Sequence, residues 1–476
     1  MEYDVVIGLE IHCELKTKTK VFCSCKNEFG AEPNTNCCPV CIGLPGALPV
    51  INKQAVLYAI KAGVALDCTI NETAIMERKN YYYPDMAKAY QISQLVKPSC
   101  VGGGLEIKDK DGNPKFIRLN NIHLEEDAGK LIHDERLGGT LVDYNRGGVP
   151  LIEIVTEPDL SSAEETVQFL ENLKSVLQYI EISDCKMHEG SLRCDVNISL
   201  KPKGSDKLGI RAEIKNSNSF RAVARAIEYE IQRQSQLLDE GKEVKQETRR
   251  WDDNSGRTIA MRDKEDSQDY RYFPDPDLLP IVVEQKYIDQ IKANMPMLRK
   301  DLEKKYVAEL GLTEYDASVL TGDLNLVKYF EAVIKDFNKP KFVCNFILTN
   351  VLKKVKDSGA EDIIIPIEPS NFAKLLELYE GGKISQASCR EVLDIIWENN
   401  ANCEDIIKEK GLFQNNDEGE LKKMIEALIA EFPQSVADYK GGNAKALSFF
   451  VGQLMKRTQG KANPGIANKL LKELLD

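Results

Sequence analysis

The chain has 476 residues, enough for about two to four domains, and its 42% hydrophobic and 29% charged residues are typical of an ordinary globular protein. Its formal net charge of −12 argues against nucleic-acid binding over the whole surface and leaves only a local basic patch for that purpose. No apolar run has the length of a membrane span, and no basic or apolar leader precedes the first predicted strand. We therefore expect a cytoplasmic protein with no membrane partner.

The first predicted strand, residues 5–15, has two chemically different faces. Side chains alternate between the faces of a strand, so Glu10, His12 and Glu14 point one way and the apolar residues between them point the other. The apolar face predicts a hydrophobic core. Carboxylates around an imidazole are costly to bury without a cation or a polar ligand. The second face therefore indicates either a ligand site or a surface strand with its polar side in water.

A cysteine-rich loop follows within residues 20–45. Its pattern is C-x-C, twelve residues, then C-x-x-C, formed by Cys23, Cys25, Cys38 and Cys41. Four thiolates at this spacing can close a tetrahedral structural zinc site, and Cys37 could replace Cys38. Thirteen cysteines in a chain without a leader favour reduced thiols over disulfides. The alternative is a group of free thiols in a turn-rich loop.

Four further predicted strands repeat the pattern of the first, and each carries acid on one face. The strands and their acids are 119–127 with Glu125 and Asp127, 149–155 with Glu153, 192–200 with Asp195, and 210–215 with Glu213. Five such strands predict one sheet that lines a carboxylate-rich cavity. Mg²⁺ commonly binds carboxylates together with substrate phosphates, so a Mg²⁺–nucleotide site explains the pattern better than bare acid–base catalysis. No G-x-x-x-x-G-K-[ST] motif is present, so ATP would bind without a P-loop.

Helical periodicity lies between and after these strands. Residues 52–66, 161–180 and 219–240 have apolar side chains at helical spacing, and the second of these segments opens with a capping box. Beyond residue 297 the predicted elements are helices only, at 298–310, 324–337, 341–355, 371–379 and 388–397. This order predicts an α+β fold, with a mixed α/β part followed by an all-α part.

Three segments combine positive charge with aromatic residues or with helical character. Candidates for binding a phosphate backbone or a base are Lys79, Tyr81, Tyr82, Arg249, Arg250, Arg271, Lys456 and Lys461. The segment from Tyr439 to the end contains seven Lys or Arg residues and only two acidic residues. This basic helical tail could therefore bind RNA. The competing interpretations are half-buried strand tyrosines, ion-paired loops and a solvated pair of amphipathic helices.

Longer motifs are distributed along the whole chain. They are 8–12 (GLEIH), 78–83, 123–130 (HLEEDAGK), 141–159 (LVDYNRGGVPLIEIVTEPD), 190–197 (GSLRCDVN), 247–250 (ETRR), 269–274 (DYRYFP) and parts of 452–464. Together they resemble the GatB/GatE family, to which the B subunits of bacterial aspartyl/glutamyl-tRNA amidotransferases belong. The resemblance extends over essentially the whole chain.

This resemblance implies an architecture and partners. It implies a catalytic cradle with a mixed sheet at residues 1–293, an all-α domain at 294–405 and a small helical YqeY-like tail domain at 406–476 that binds tRNA. It also implies that the chain is the B subunit of a heterotrimer, GatCAB. Its GatA subunit hydrolyses glutamine and sends ammonia through an internal channel, and its small GatC subunit binds both of the others.

The resemblance also implies a ligase reaction. Mg²⁺-ATP phosphorylates the side-chain carboxylate of Glu mischarged on tRNA(Gln), or of Asp mischarged on tRNA(Asn), and ammonia then displaces the phosphate to give Gln or Asn. On this basis the expected catalytic residues are Glu10, His12, Glu125, Glu153, Asp195 and Glu213. We expect Mg²⁺ to be bound by four of them, Glu10, His12, Glu125 and Glu213, and structural Zn²⁺ by Cys23, Cys25, Cys38 and Cys41.

Three alternatives compete with this interpretation. A GatE-like paralogue would carry a synthetase-like insert before the tail, for which this chain has no room. A non-enzymatic, zinc-containing tRNA-binding adaptor would have no use for a cavity of acids, which repel RNA. A free-standing ATPase would turn over ATP without a partner or a charged tRNA.

Overall fold

The computed structural model describes residues 2–134, 136–263, 269–358, 363–415, 417–441, 445–458 and 460–475. The chain forms two compact units, residues 1–298 and residues 299–476. In the described ranges the first unit combines strands and helices, and the second consists of helices, turns and isolated bridges. The predicted α+β class is therefore confirmed.

The first unit contains the strands and the longest helices. In chain order its strands are β1 (Tyr3–Glu14), β2 (Thr69–Ile70), β3 (Thr73–Ala74), β4 (Glu77–Asn80), β5 (Tyr90–Ser93), β6 (Cys100–Val101), β7 (Gly104–Lys108), β8 (Pro114–Glu126), β9 (Lys130–Asp134), β10 (Gly139–Asp143), β11 (Pro150–Thr156), β12 (Leu192–Pro202), β13 (Ala212–Ser217), β14 (Glu247–Asp252), β15 (Arg257–Asp263), β16 (Phe273–Pro274) and β17 (Ile281–Val282). Its helices are α1 (Lys53–Ala65), α2 (Ala163–Tyr179), α3 (Phe220–Asp239) and α4 (Gln285–Ala293).

One large mixed sheet organises this unit. Its strand order is β15–β14–β13–β12–β1–β11–β8–β6–β2, and β7 pairs with β8 outside that path. β13 and β14 run parallel, whereas the pairs on either side of β1 are antiparallel. The five acid-bearing strands of the prediction are β8, β11, β1, β12 and β13. They are consecutive neighbours, which confirms the prediction that they share one sheet.

The apolar face of the sheet packs against helices. Leu9, Ile11 and Cys13 of β1 are at most 1% exposed. Helix α1 packs against β8, α2 against β7 and α3 against β12, while α2 and α3 contact each other. Helix α2 begins where the capping box predicts, because the Ser162 hydroxyl accepts a hydrogen bond from the Glu165 amide at 3.1 Å.

The opposite face of the same strands carries the polar side chains. On β1 these are Glu10, His12 and Glu14, all half-buried, so this face is not a strand edge in open water. Residues paired directly across antiparallel strands point to the same face. His12 pairs with Glu153 on β11 and with Arg193 on β12, so the register brings charged residues of three strands together.

The second unit is built from shorter helices. They are α5 (Arg299–Leu310), α6 (Glu314–Leu320), α7 (Leu324–Asp336), α8 (Pro340–Phe346), α9 (Leu352–Ser358), α10 (Pro369–Glu380), α11 (Gln386–Asn399), α12 (Cys403–Glu409), α13 (Glu418–Glu431), α14 (Pro433–Lys440), α15 (Lys445–Arg457) and α16 (Pro464–Leu475), with a π-helical turn at Ile347–Val351 between α8 and α9. All five helices predicted here are present, and α13, α15 and α16 enclose a small separate core that includes Leu421, Phe450 and Leu471. Among the described residues, no helix of either unit is long and apolar enough to cross a lipid bilayer.

The packing of β1 predicts the effect of a core substitution. Ile11→Ala removes a side chain that is 0% exposed, and such a change costs about 2–5 kcal/mol because it leaves a cavity. We expect a clear fall in the midpoint of thermal unfolding, measured by calorimetry. The matched control is Ile210→Ala, because Ile210 is 47% exposed and its truncation should cost less than about 0.5 kcal/mol. Equal shifts for the two variants would contradict this packing.

Candidate active site

The first of two carboxylate groups centres on His12. Its Nε2 lies 3.6 Å from Glu125 Oε1 on β8 and 3.6 Å from Glu153 Oε2 on β11. His123, also on β8, places its Nε2 3.1 Å from Glu153 Oε2 and its Nδ1 2.8 Å from Asn121 Oδ1. Two imidazoles therefore contact one carboxylate, and the ligand atoms of His12, Glu125 and Glu153 lie within 4.8 Å of one another.

Burial and neighbouring charges shift the pKa values of these acids in different directions. Burial raises the pKa of Glu125, and burial together with the charge of Glu153 raises the pKa of Glu10. Burial also opposes ionisation of Glu153, but the hydrogen bond from His123 and the charges of His123 and His12 outweigh it and lower its pKa to about 2. One firmly ionised carboxylate thus lies beside acids whose negative charge is poorly compensated. Such a donor set suits a divalent cation.

The second carboxylate group spans β1, β12 and β13. Oxygen atoms of Glu10, Asp195 and Glu213 lie within 4.8 Å of one another. Lys215 Nζ forms ion pairs of 2.8 Å with both Asp195 and Glu213, and Asn197 Nδ2 donates to Glu10 at 2.9 Å. When all three carboxylates are ionised, the single ammonium leaves a net charge of −2, which one Mg²⁺ would neutralise.

The four residues expected to bind Mg²⁺ are split between these two groups. His12 and Glu125 belong to the first group, and Glu10 and Glu213 belong to the second. All six residues expected to be catalytic nevertheless lie on one face of five neighbouring strands. Binding of one ion by all four residues stays a prediction, and each group alone also offers three donors that fit a hard cation.

Both groups contribute to one cavity of about 320 Å³, which we call the acidic cavity. Its lining residues are Glu10, His12, Lys79, Glu153, Asn197, Arg211, Glu213, Lys215, Thr248 and Tyr270. Asn197, Arg211, Lys215, Thr248 and Tyr270 were not among the candidate site residues from the sequence. The first three follow the same alternation as the acids, so that signal was available. For Thr248, which donates to Glu213 at 3.0 Å, only the pairing of β13 with β14 reveals the role.

A third charged cluster lies at the end of β1. Asp127 Oδ2 pairs with Arg146 Nε at 2.5 Å and with Arg193 Nη2 at 2.8 Å, and Arg146 Nε lies 3.6 Å from Glu14 Oε1. Burial opposes ionisation of Asp127, but the two guanidinium charges lower its pKa below the ordinary value. Burial and the charge of Asp127 raise the pKa of Glu14 to about 8. This cluster positions Arg193, which pairs directly with His12 across the strands.

Aromatic residues border the acidic cavity on the side of Lys79. The Lys79 ammonium lies 4.9 Å from the centre of the Tyr270 ring. Tyr81 and Tyr272 contact the same ring edge-on, with ring centres 6.5 and 6.3 Å away. Tyr81 is half-buried, whereas Tyr82 is 93% exposed. The structure thus places Lys79 in the cavity wall, Tyr81 behind it against Tyr270, and Tyr82 on the surface.

The other candidate basic residues lie in different surroundings. Arg249 is engaged in internal ion pairs with Glu230, at 3.0 Å, and with Glu247, and its side chain is 11% exposed. At Arg249 the competing interpretation of an ion-paired segment therefore fits better than a free phosphate ligand. The remaining candidates are exposed, and they are Arg250 and Arg271 in the first unit and Lys456 and Lys461 in the second.

The cysteine quartet is compact enough for zinc. Cys41 Sγ lies 3.5 Å from Cys23 Sγ, 3.7 Å from Cys25 Sγ and 3.7 Å from Cys38 Sγ. A tetrahedral site with Zn–S bonds of about 2.3 Å separates its sulfurs by about 3.8 Å, so these thiols fit the ion. Cys37 lies apart from this contact set, with its Sγ 3.8 Å from Asn145 Oδ1. The geometry therefore favours Cys38 over Cys37 as the fourth ligand.

A buried lysine supports the same quartet. Lys20 is 0% exposed, and its Nζ donates to Cys41 Sγ at 3.5 Å and to the Tyr144 carbonyl at 3.1 Å. The hydrogen bond from Cys23, with smaller help from Lys20, lowers the pKa of Cys41 to about 4. A thiolate is the form that binds zinc, so at least one ligand is prepared for the metal.

Comparison with known proteins gives the family. A family model described as the GatB/GatE catalytic domain matches residues 5–289, and one described as a GatB domain matches residues 328–475. The chain belongs to the GatB/GatE family. A relative from Caldicellulosiruptor bescii is 52% identical over 479 residues, 100% of both chains, and one from Lachnoclostridium phytofermentans is 50% identical over 473 residues, 99% of each. Both bear the name of the B subunit of aspartyl/glutamyl-tRNA(Asn/Gln) amidotransferase.

The match to the GatB/GatE catalytic domain contains every element of the site described above. Residues 5–289 include both carboxylate groups, the acidic cavity and the cysteine quartet. The match to the GatB domain contains the small core around Leu421 and Phe450, together with Lys456 and Lys461. The family and the geometry therefore point to the same part of the chain for chemistry.

The geometry of the cysteine loop predicts a selective loss of zinc. We expect about one zinc per chain in the purified wild-type protein, measured by inductively coupled plasma mass spectrometry. Cys41→Ser should lose it, because Cys41 contacts the three other thiols. Cys37→Ser is the matched control and should keep its zinc. Retention in Cys41→Ser, or loss in Cys37→Ser, would contradict the assignment of the quartet.

Proposed function

We propose that this chain is the B subunit of a glutamine-dependent tRNA amidotransferase. It uses ATP to phosphorylate the side-chain carboxylate of Glu on tRNA(Gln) or of Asp on tRNA(Asn), and ammonia then converts that carboxylate into the amide. Relatives of at least 50% identity along the whole chain carry the name of this subunit. The observation that supports the chemistry best is the pair of carboxylate groups that five adjacent strands bring to one face of the sheet, where members of both groups line the acidic cavity.

The acidic cavity has the residues that a phosphoryl transfer requires. Phosphoryl transfer depends on positioning and on neutralising charge more than on covalent chemistry from the protein. Glu10, His12, Glu125 and Glu213, with Glu153 and Asp195 beside them, are the residues that would hold Mg²⁺. The ion would supply positive charge for the phosphates of ATP. Because the sequence has no P-loop motif, we propose that side chains of the cavity bind the triphosphate.

Three cations of the cavity suit that task. Lys79, Arg211 and Lys215 line it together with the acids. Lys215 is held between Asp195 and Glu213 at 2.8 Å from each, and Lys79 rests against the Tyr270 ring. Cations fixed in place by acids and an aromatic ring lose little freedom when phosphate binds, which favours transfer over simple binding.

The proposed reaction has two steps with balanced bonds. In the first, an oxygen of the substrate carboxylate attacks the γ-phosphorus of ATP, the bond from phosphorus to the β–γ bridging oxygen breaks, and ADP leaves. In the second, ammonia attacks the carbonyl carbon of the acyl phosphate, inorganic phosphate leaves, and the nitrogen loses a proton. Phosphorylation is needed because a carboxylate by itself has no adequate leaving group.

The partners follow from the family assignment. We propose that GatA supplies ammonia from glutamine hydrolysis and that GatC holds GatA to this chain. We propose that the tail domain, residues 406–476, contacts tRNA through exposed lysines such as Lys456 and Lys461, after a helical domain at 294–405 and a catalytic cradle at 1–293. The alternative is a zinc-containing tRNA-binding adaptor without enzymatic activity. It does not explain why five strands hold carboxylates on one half-buried face.

The proposal predicts the effect of neutral substitutions in both carboxylate groups. Glu10→Gln, Glu125→Gln and Glu213→Gln should each lower ATP-dependent amide formation by at least about 10²-fold, because each removes charge from the proposed metal site. Binding of charged tRNA, measured by filter binding, should stay unchanged. Glu228→Gln, on the exposed side of α3, is the matched control. Normal turnover by all three variants would contradict the metal assignment.

A direct assay tests the function as a whole. The chain is co-purified with GatA and GatC, and ATP hydrolysis is measured with and without Glu-tRNA(Gln) or Asp-tRNA(Asn). We expect ATP hydrolysis to depend on the mischarged tRNA and the released amino acid to be Gln or Asn. Hydrolysis of ATP without charged tRNA would support a free-standing ATPase instead. Tight tRNA binding without any use of ATP would support the adaptor.

A further inference from the structure

A second cavity adjoins the acidic cavity in the same unit. It has a volume of about 550 Å³, and we call it the lateral cavity. The lining residues that matter here are His12, Met187, Arg193, Asp195, Lys215 and Ser217. It lies beside β12 and the end of β13, next to the start of α3.

The two cavities share part of one wall. His12 and Lys215 line both of them, whereas Glu10, Glu153 and Glu213 line only the acidic cavity and Asp195 lines only the lateral one. The double ion pair of Lys215 reflects this position, because Glu213 belongs to the acidic cavity and Asp195 to the lateral cavity. The Lys215 ammonium thus lies where the acidic cavity and the lateral cavity meet.

The lateral cavity also contains polar groups without partners. Ser217 is 8% exposed, and its hydroxyl has no hydrogen-bond partner in the described part of the chain. Arg193 Nε is likewise buried and without a partner among the described residues, although the other end of its guanidinium pairs with Asp127. Unsatisfied buried donors are costly to a fold. Their presence in a cavity wall indicates that a polar ligand satisfies them.

We propose that the lateral cavity receives the aminoacyl end of the charged tRNA and that Lys215 is a catalytic residue between acceptor and donor. This proposal rests on the proposed function and assigns the substrate carboxylate to a place in it. The carboxylate enters from the lateral cavity, the triphosphate occupies the acidic cavity, and the γ-phosphoryl group passes between them beside His12 and Lys215.

The stereochemistry of the transfer favours two separate spaces. In phosphoryl transfer the attacking and leaving oxygens lie roughly in line on opposite sides of phosphorus, and negative charge spreads over its three other oxygens. Two cavities that meet at a shared wall bring donor and acceptor from different directions. Lys215, already at that wall, can neutralise charge on the transferred group without moving to reach it.

The lining of each cavity decides which ligand it receives. The acidic cavity has metal-binding carboxylates together with Lys79 and Arg211, the composition expected for a metal–triphosphate complex. The lateral cavity is larger, and its acids Asp195 and Glu189 are already ion-paired with Lys215 and Lys186. Its wall also has Arg193 and Ser217 together with apolar side chains such as Met187. A carboxylate attached to an aminoacyl ester presents both a charged end and apolar atoms. It therefore fits the lateral cavity better.

Filling the lateral cavity tests the assignment. Met187→Trp, in the complex with its partner subunits, should raise the KM for mischarged tRNA by at least about tenfold. It should leave the Kd of Mg²⁺-ADP, measured by calorimetry without tRNA, within about twofold. Met297→Trp, at a residue 47% exposed and outside both cavities, is the matched control. If Met187→Trp fails to fold, Asn218→Trp fills the same cavity from an exposed position.

Substitution of Lys215 tests the residue at the shared wall. Lys215→Met should lower kcat by about 10²–10³-fold with a smaller change in KM for either substrate, and Lys215→Arg should restore part of kcat because it keeps the charge. Lys242→Met, on the surface beside Glu240, controls for the loss of a lysine. A structural role for Lys215 would instead lower the unfolding temperature and leave Lys215→Arg no more active than Lys215→Met.

The outcomes separate this proposal from the proposed function. If Met187→Trp weakens Mg²⁺-ADP binding tenfold, the lateral cavity holds the nucleotide and the assignment is overturned. If the variant changes neither ADP binding nor the KM for tRNA, the cavity is not used. If the wild-type complex shows no ATP hydrolysis that depends on charged tRNA, the proposed function itself fails, whatever the variants do.

Discussion

The structure depends on how one half-buried face of the sheet compensates the negative charge of several closely spaced carboxylates. Five neighbouring strands bring acids to one face of the sheet, where burial and mutual repulsion raise the pKa of Glu10 and Glu125. Imidazoles and ammonium groups offset part of that charge: His123 holds Glu153 ionised, and Lys215 pairs with two acids at once. A fold that served stability alone would replace such a cluster with apolar side chains. Its retention indicates a site at which further positive charge arrives with a ligand.

The same sheet separates stability from chemistry. Because a strand alternates between two faces, each of the central strands supplies the core with one set of residues and the cavity with the other. On β1, Ile11 packs under the helices while its neighbours His12 and Glu10 face the cavity. A rigid sheet positions both carboxylate groups without relying on loops, and rigid placement is what phosphoryl transfer needs most. A loop contributes at the border of the acidic cavity, through Tyr270.

Much of this arrangement could be predicted from the sequence, and the limits have physical causes. Alternation places Glu10, His12 and Asp195 on polar faces, Glu153 is recognised as an acid within an apolar run, and the prediction that these strands share a sheet is confirmed. Alternation within one strand does not give the register between strands. That register divides the acids into two groups and makes Lys215 a bridge between Asp195 and Glu213.

Side-chain partners decide several other cases that sequence patterns leave open. Cys37 and Cys38 are equivalent in spacing arguments, but only Cys38 contacts Cys41. Arg249 resembles a phosphate ligand in the sequence, yet it pairs with the buried Glu230, which lies on a helix nineteen positions earlier in the chain.

We propose that the acidic cavity binds a metal–nucleotide complex. Crystals of the complex with its partner subunits, grown with Mn²⁺ and ADP, test it through anomalous diffraction at the manganese edge. We expect an anomalous peak among the carboxylates of the acidic cavity, and we expect the phosphates of ADP to lie beside Lys79, Arg211 and Lys215. Manganese and ADP bound at a different part of the chain, or ADP bound in the acidic cavity with no ion among these carboxylates, would contradict it.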